Sequence, residues 1–208
     1  MKRLLPVLAF VLGTLGSFAQ FDTLAVKNKI SVSVDSMSFA FRENRWTDYA
    51  RYMNDGLLEV FGDSAGFAMA MDTIMKKLYE QAELQQYYAG KILQVVKTPK
   101  GYQCVTESFI QMTFSGMMLS GVSYNVGASP DGENWKFLRV DEDSRLKIED
   151  FIPDISAQIR IPEDQMETGL TLEEFLKTYK VIYKKTPVPV KKPAPKKTGK
   201  TAKPKKVT

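Results

Sequence analysis

The sequence predicts an α+β fold, in which helices near the N-terminus pack on a strongly twisted antiparallel sheet. The prediction rests on a run of strand-like segments from Tyr87 to Val140 and on helical periodicity in the residues before it. Within the run, Tyr102–Phe114 alternates between two sets of side chains, as a pleated strand requires. Turn residues separate the segments, so we expect four antiparallel strands in a meander.

The boundaries of the four strands follow from these turn residues. Pro99–Gly101 ends the first strand, Ser115-Gly116 the second and Ser129–Gly132 the third. Proline sets the first turn dihedral, and glycine accepts the positive φ that such turns need. The predicted strands are Tyr87–Thr98, Tyr102–Phe114, Met117–Val126 and Trp135–Val140.

The residues before the sheet predict three helices. Ile30–Asn44 fits a helix or, through its alternating serines, a strand, and we favour the helix. Thr47–Met53 is a second helix, and Leu57–Phe61 is a brief strand or extended piece. The best helix begins at an N-cap in Gly62–Ser64 and extends to about Leu84. Its apolar stripe is Phe67, Met71, Ile74, Met75, Leu78 and Ala82.

After the sheet, the charged residues 141–150 are expected to form a loop or a short extension. Two proline-containing apolar patches, Phe151–Ile155 and Ile159–Pro162, are expected to lie against the sheet without regular structure. Thr171 can cap a last short helix, Leu172–Tyr179, whose first turn carries two acidic residues.

The two ends of the chain differ in composition from the domain between them. Residues 1–19 have the charged start, apolar stretch and small final residues of a signal peptide, so export is expected, to a periplasm or beyond, as a soluble protein. Residues 20–29 form a polar lead-in, residues 30–183 the folded domain and residues 184–208 a Lys/Pro-rich tail expected to be disordered.

Charge is distributed unevenly between the domain and this tail. Of the 29 basic residues, 10 are lysines from Lys184 onward, which leaves 19 against all 24 acidic ones. The tail could therefore contact anionic polymers of the cell envelope or lipid headgroups. We expect no nucleic-acid partner, because the tail lacks arginine and aromatic residues for base stacking.

The sequence contains no histidine and only one cysteine, Cys104. This composition excludes histidine-based triads, histidine metal ligands, an internal disulfide and zinc sites built from several cysteines. No metal or cofactor is expected. Cys104 lies in an alternating strand, where a small buried core residue is the simplest interpretation.

The order of three helices followed by a meander resembles the NTF2-like superfamily, a cone fold that includes SnoaL-like proteins. The resemblance extends to exported proteins of Bacteroidetes-type bacteria and covers roughly Ile30 to Pro162. It is carried by Asn44–Tyr49, Ser129–Phe137, Ile152–Ile155 and Ile161-Pro162. The resemblance implies that the concave sheet face and the third helix enclose an apolar pocket, and that dimers form through the sheet. The same cone hosts enzymes and binding proteins, so it does not decide function.

The favoured function is non-catalytic binding or scaffolding, through an apolar pocket or a sheet face, for a small ligand or an envelope partner. Val105 and Phe109, among polar neighbours, could belong to a partner face or a dimer contact. The same inner side chains also suit a filled core. The predicted lining is Tyr49, Tyr52, Met71, Met75, Met112, Phe114, Met118, Tyr124 and Trp135.

Two alternatives stay open, a tether through the cationic tail and a SnoaL-like isomerase or dehydratase. Such an enzyme needs a carboxylate or histidine base inside the cavity. If Cys104 and Ile110 point inward, Glu107 points outward onto a solvated face. The opposite register would bury Glu107 and favour the enzyme.

Overall fold

A computed structural model describes two ranges of the chain, Thr23–Asp141 and Ile148–Tyr183. The predicted signal peptide and Lys/Pro-rich tail lie outside these ranges and stay predictions. The elements in chain order are α1 Thr23–Arg42, α2 Trp46–Ala50, α3 Asp55–Val60, α4 Ser64–Tyr79, β1 Ala82–Thr98, β2 Gly101–Phe114, β3 Met117–Ser129, β4 Lys136–Val140, α5 Ile148–Phe151, β5 Gln165–Thr168 and α6 Leu172–Thr178.

The first helix, α1, resolves the ambiguity at Ile30 in favour of the helix. Its buried side chains follow helical spacing, whereas Val32, which a strand would place beside Ile30 and Val34, is 64% exposed. The helix already includes Thr23, so the predicted lead-in is helical over residues 23–29. It is followed by Asn44, whose φ of 53° does not continue a right-handed helix.

The prediction of an extended piece at Leu57–Phe61 is wrong, because α3 covers most of it. The Asn54 side chain accepts a hydrogen bond from Leu57 N at 3.3 Å and caps this helix. Asp63 caps α4 as predicted and accepts from Gly66 N at 2.8 Å. This helix ends at Tyr79 rather than near Leu84, and Ile74 of the predicted stripe is 53% exposed.

The sheet is antiparallel, twisted and unclosed, with strand order β1-β2-β3-β4. The four predicted strands are confirmed, although β1 begins earlier, at Ala82, and has irregular pairing between Ala89 and Gln94. A fifth strand that was not predicted, β5, pairs with the first half of β3 beside β4. The coarse prediction of helices packed on an antiparallel sheet is therefore confirmed.

Both faces of the sheet are covered within the described chain. The helix-side face, which includes Cys104 and Ile110, packs against α1, α2 and α4 in the largest core cluster. The opposite face, called the outer face here, packs against residues 152–183, which we call the strap. As predicted, the apolar patches around Ile152 and Ile159 lie on the sheet. The expectation of no regular structure before Ile152 is wrong, because α5 covers Ile148–Phe151.

The strap is fixed to the outer face by glutamine side chains that bond its main chain. Gln103 donates to Asp154 O at 2.9 Å and accepts from Ser156 N at 2.8 Å. Two further glutamines act in the same way. Gln94 donates to Arg160 O at 2.7 Å and accepts from Arg160 N at 3.0 Å, and Gln111 accepts from Leu172 N at 2.6 Å. A side-chain amide that both donates and accepts in this way makes the same pair of hydrogen bonds as the backbone of a neighbouring strand.

The strap overturns the expectation of a solvated outer face. Val105 and Phe109, expected at an exposed partner face, are buried in a cluster with Leu172 and Phe175 of α6. Glu107 lies between them and is only 1% exposed. The predicted last helix is confirmed as α6, with a capping box formed by Thr171 and Glu174. A homodimer through the sheet stays a prediction.

Candidate functional site

The predicted pocket residues on the helix side belong to a packed core. Tyr49, Met75 and Trp135 are buried there, while Tyr52, Met71 and Met112 are partly buried against the same cluster. Phe114 shares the face of Met112 at the end of β2 and is half-buried. Burial raises the pKa of the Tyr49 hydroxyl above its ordinary value, and the neighbouring Tyr87 adds to the effect.

Met118 and Tyr124 lie on the other side of the sheet, so their predicted place in the inner lining is wrong. The turn at Ser115-Gly116 pairs Phe114 with Met117, and this register places Tyr124 opposite Glu107 and Met118 opposite Thr113. Paired residues share a face, so both side chains lie on the outer face. A one-residue difference in the turn would have exchanged the faces.

The helix-side face of β2 and β3 carries hydroxyl and amide groups but no carboxylate. Asn125 donates to Ser108 Oγ at 2.8 Å, and both residues are buried. The Thr106 hydroxyl beside them is buried without a hydrogen-bond partner in the structure. These groups can bind a polar atom, but they lack a base for proton abstraction.

The outer face holds the one buried carboxylate in the described ranges, Glu107, within a hydrogen-bond network. Tyr179 of the strap donates its hydroxyl to Glu107 Oε1 at 2.7 Å, and Lys91 N donates to Oε2 at 3.0 Å. Tyr124 and Tyr179 share a further hydrogen bond of 2.7 Å. Burial raises the pKa of Tyr124 to about 12 and raises that of Tyr179 as well. Both carboxylate oxygens are engaged, so Glu107 anchors the strap.

An open groove lies on the helical side, where α1 meets α2. It has a volume of about 450 Å³. We call it the α1–α2 groove and define it by the residues that line it, Asp35, Ser36, Phe39, Ala40, Arg45, Asp48, Arg51 and Tyr52. Tyr52 is the only predicted pocket residue among them.

Charged side chains surround an exposed aromatic ring in this groove. Asp48 accepts ion pairs from Arg45 and, at 3.3 Å, from Arg51 Nη1. The Phe39 side chain is 45% exposed. The guanidinium carbons of Arg42 and Arg45 lie 5.9 Å and 5.8 Å from the centre of its ring. These distances are within the range of cation–π contacts.

This arrangement is suited to an anionic group attached to an apolar body. Guanidinium groups bind carboxylate and phosphate through paired hydrogen bonds, and an exposed ring supplies an apolar contact. The volume is within the range of small-molecule sites. The sequence offered one signal for it, the arginines at 42, 45 and 51 next to Phe39, but nothing in the periodicity showed that Phe39 would stay exposed.

Three further observations bear on function. No group of three or more histidine, cysteine, aspartate or glutamate residues in the described ranges could hold a metal ion. Among the helices of those ranges, none is both long and apolar enough to cross a membrane. Comparison of the chain with protein-family models, curated proteins and solved structures gives no match.

Proposed function

We propose that this chain is an exported, non-catalytic binding domain of NTF2-like architecture. The order of α1, α2 and α4 before the meander supports the architecture that the resemblance implies, with the six-residue α3 as an additional element between α2 and α4. Export is supported by the signal-like pattern of residues 1–19. The proposed ligand site is the α1–α2 groove, and the proposed ligand carries an anionic group.

The observation that supports this site best is the sharing of Asp48 by two arginines beside the exposed Phe39 ring. Phe39 stays 45% exposed between cations, so nearly half of the apolar surface that burial could remove from water remains solvated. The same ring gives a ligand an apolar contact, while Arg45 and Arg51 offer further donors to an anion. Binding is therefore a better account of this surface than stability.

The alternative function, an isomerase or dehydratase, has weaker support. It needs a base with access to a substrate. The chain has no histidine, and Glu107 is enclosed by the strap with both oxygens bonded. We therefore propose binding without catalysis.

The test is to titrate the full-length protein with benzoate and to monitor its amide resonances by NMR. Neutral benzamide is the comparison ligand. Benzoate should shift resonances around Phe39 and Arg45. Arg45→Gln and Arg51→Gln should each weaken benzoate binding about three- to tenfold, as expected for loss of a partly exposed charge-assisted hydrogen bond. Equal binding of benzamide and benzoate would contradict the proposal.

Two variants sharpen this test. Asp48→Asn removes the carboxylate that competes for the two arginines, so it should tighten benzoate binding, the opposite sign to the arginine variants. Lys177→Ala removes a similarly exposed cation, in an ion pair with Glu173 on α6, and should leave benzoate binding unchanged. An Asp48→Asn variant with weaker binding would also count against the site.

A further inference from the structure

A second groove lies directly beside the first, on the other side of α2. We call it the α2–α4 groove; it has a volume of about 600 Å³. It lies between the start of α2 and the first turns of α4. Its lining residues are Asn44, Arg45, Trp46, Thr47, Asp48, Ala65, Ala68, Met69 and Asp72.

The two grooves share the ion pair of Arg45 and Asp48. Arg45 and Asp48 therefore lie at the border between the grooves, and a head group held at Arg45 is placed next to both. On the α4 side the lining is formed by Ala65, Ala68 and Met69, which is 72% exposed, and by Asp72, whose carboxylate is in an ion pair with Lys76. Methionine on a surface adapts its flexible side chain to apolar ligands of varied shape.

Apolar surface therefore lies on both sides of a charged centre. Phe39 supplies it in the α1–α2 groove, and Met69 supplies it in the α2–α4 groove. A compact anion such as benzoate would reach only one of these surfaces. A linear molecule with an anionic head and an apolar chain would place its head at Arg45 and Arg51 and extend its chain toward Met69.

We propose that the two grooves form one site and that its ligand is a linear amphiphile, an anionic head group with an unbranched apolar chain. The proposal rests on the anion site of the α1–α2 groove and adds the direction and the chemistry of the rest of the ligand. Chain length should then control affinity, because each methylene that enters the second groove is removed from water.

The test uses the full chain and a series of straight-chain carboxylates, from butanoate to decanoate, below their micelle concentrations. Once the chain reaches the α2–α4 groove, affinity should rise about two- to fourfold for each added methylene. Resonances of Ala65 and Met69 should shift with the longer members only. Affinity that stays flat along the series would overturn the proposal.

A matched pair of variants on α4 distinguishes contact between Met69 and the ligand's apolar chain from non-specific binding of that chain. Met69→Ser should remove most of the dependence on chain length and leave benzoate binding unchanged. Ile74→Ser alters an exposed apolar residue of the same helix that lines neither groove, and it should keep the full dependence. Equal behaviour of the two variants would overturn the proposal. If benzoate binds but affinity does not change with carboxylate chain length, only the amphiphile proposal is refuted. If neither benzoate nor any carboxylate binds, the anion site is refuted as well.

Discussion

The carboxylate of Glu107 is buried and is held by two neutral donors, the Tyr179 hydroxyl and the Lys91 amide. Space for it depends on Gly90, where a Cβ would lie 2.6 Å from Glu107 Cβ. Removal of the side chain would leave both donors without an acceptor. A buried unsatisfied donor costs more than the hydrogen bond itself contributes.

We expect Glu107→Ala to lower the free energy of unfolding by about 2–4 kcal/mol, from the lost acceptor and the void. Glu107→Gln should cost far less, because its amide can accept from Lys91 N and donate to Tyr179. Urea unfolding followed by fluorescence of the buried Trp46 and Trp135 measures both variants. Glu167→Ala, on the exposed β5, is the control. If Glu107→Ala leaves the free energy of unfolding unchanged, the network does not stabilise the fold.

Residue placement could be predicted where local pattern decides it. The alternation in β2 correctly placed Cys104 and Ile110 on one face and Glu107 on the other, although it left open which face would meet the helices. Glu107 does lie on the outer face, but the favoured prediction that it is solvated is wrong, because Tyr179, far along the chain, helps to bury it. Tyr124 was misplaced because its face depends on the register that the turn sets.

At the scale of elements, the strap is held both through its main chain and through buried side chains. Gln103, Gln94 and Gln111 bond backbone atoms, so the recognition does not depend on the side chains of the strap at those points. Anchoring side chains add to it, since Leu172 and Phe175 are buried on the sheet. The strap is therefore attached at several separate places.

We expect Gln103→Ala to loosen the strap locally without unfolding the sheet. Loss of two partly buried hydrogen bonds should make the Ser156 amide exchange with solvent roughly tenfold faster or more. Hydrogen exchange resolved by residue measures this, and amides paired between β2 and β3 should keep their protection. Gln85→Ala, an exposed glutamine of β1, is the matched control. A uniform loss of protection across the sheet would contradict a local role.

Long, regular elements were predicted better than short or remote ones. The spacing in Ser64–Tyr79 and the alternation in Gly101–Phe114 are decided by neighbours in sequence. The short helix Asp55–Val60 depends on its cap at Asn54 and carries no fully buried residue, so its pattern was weak. The α1–α2 groove depends on how two helices meet, which local pattern does not specify.

At the scale of the whole molecule, a single sheet separates two apolar layers. Both layers contain tyrosine hydroxyl or cysteine thiol groups, which are weak acids and are uncharged at pH 7. Burial raises the pKa of Tyr49 and Cys104 in the helix-side layer. It also raises the pKa of Tyr124 and Tyr179 beneath the strap. In the unfolded chain these groups ionise near their ordinary values, about 9 for cysteine and 10 for tyrosine. The unfolded chain therefore loses protons first as pH rises.

The resulting linkage predicts alkaline destabilisation. Because the folded-state pKa values are raised, the stabilisation is fully present below about pH 9 and is lost as pH rises toward about 12, the value for Tyr124. Urea unfolding at intervals from pH 8 to pH 11 should show a falling midpoint, with a shallower fall in Tyr124→Phe. Tyr183→Phe, at an exposed tyrosine at the end of the strap, should change the fall far less than Tyr124→Phe, because Tyr183 makes only the smallest contribution to the raised pKa of Tyr124. A midpoint that stays constant up to pH 11 would mean that these groups ionise in the folded state, and hence that neither layer excludes water.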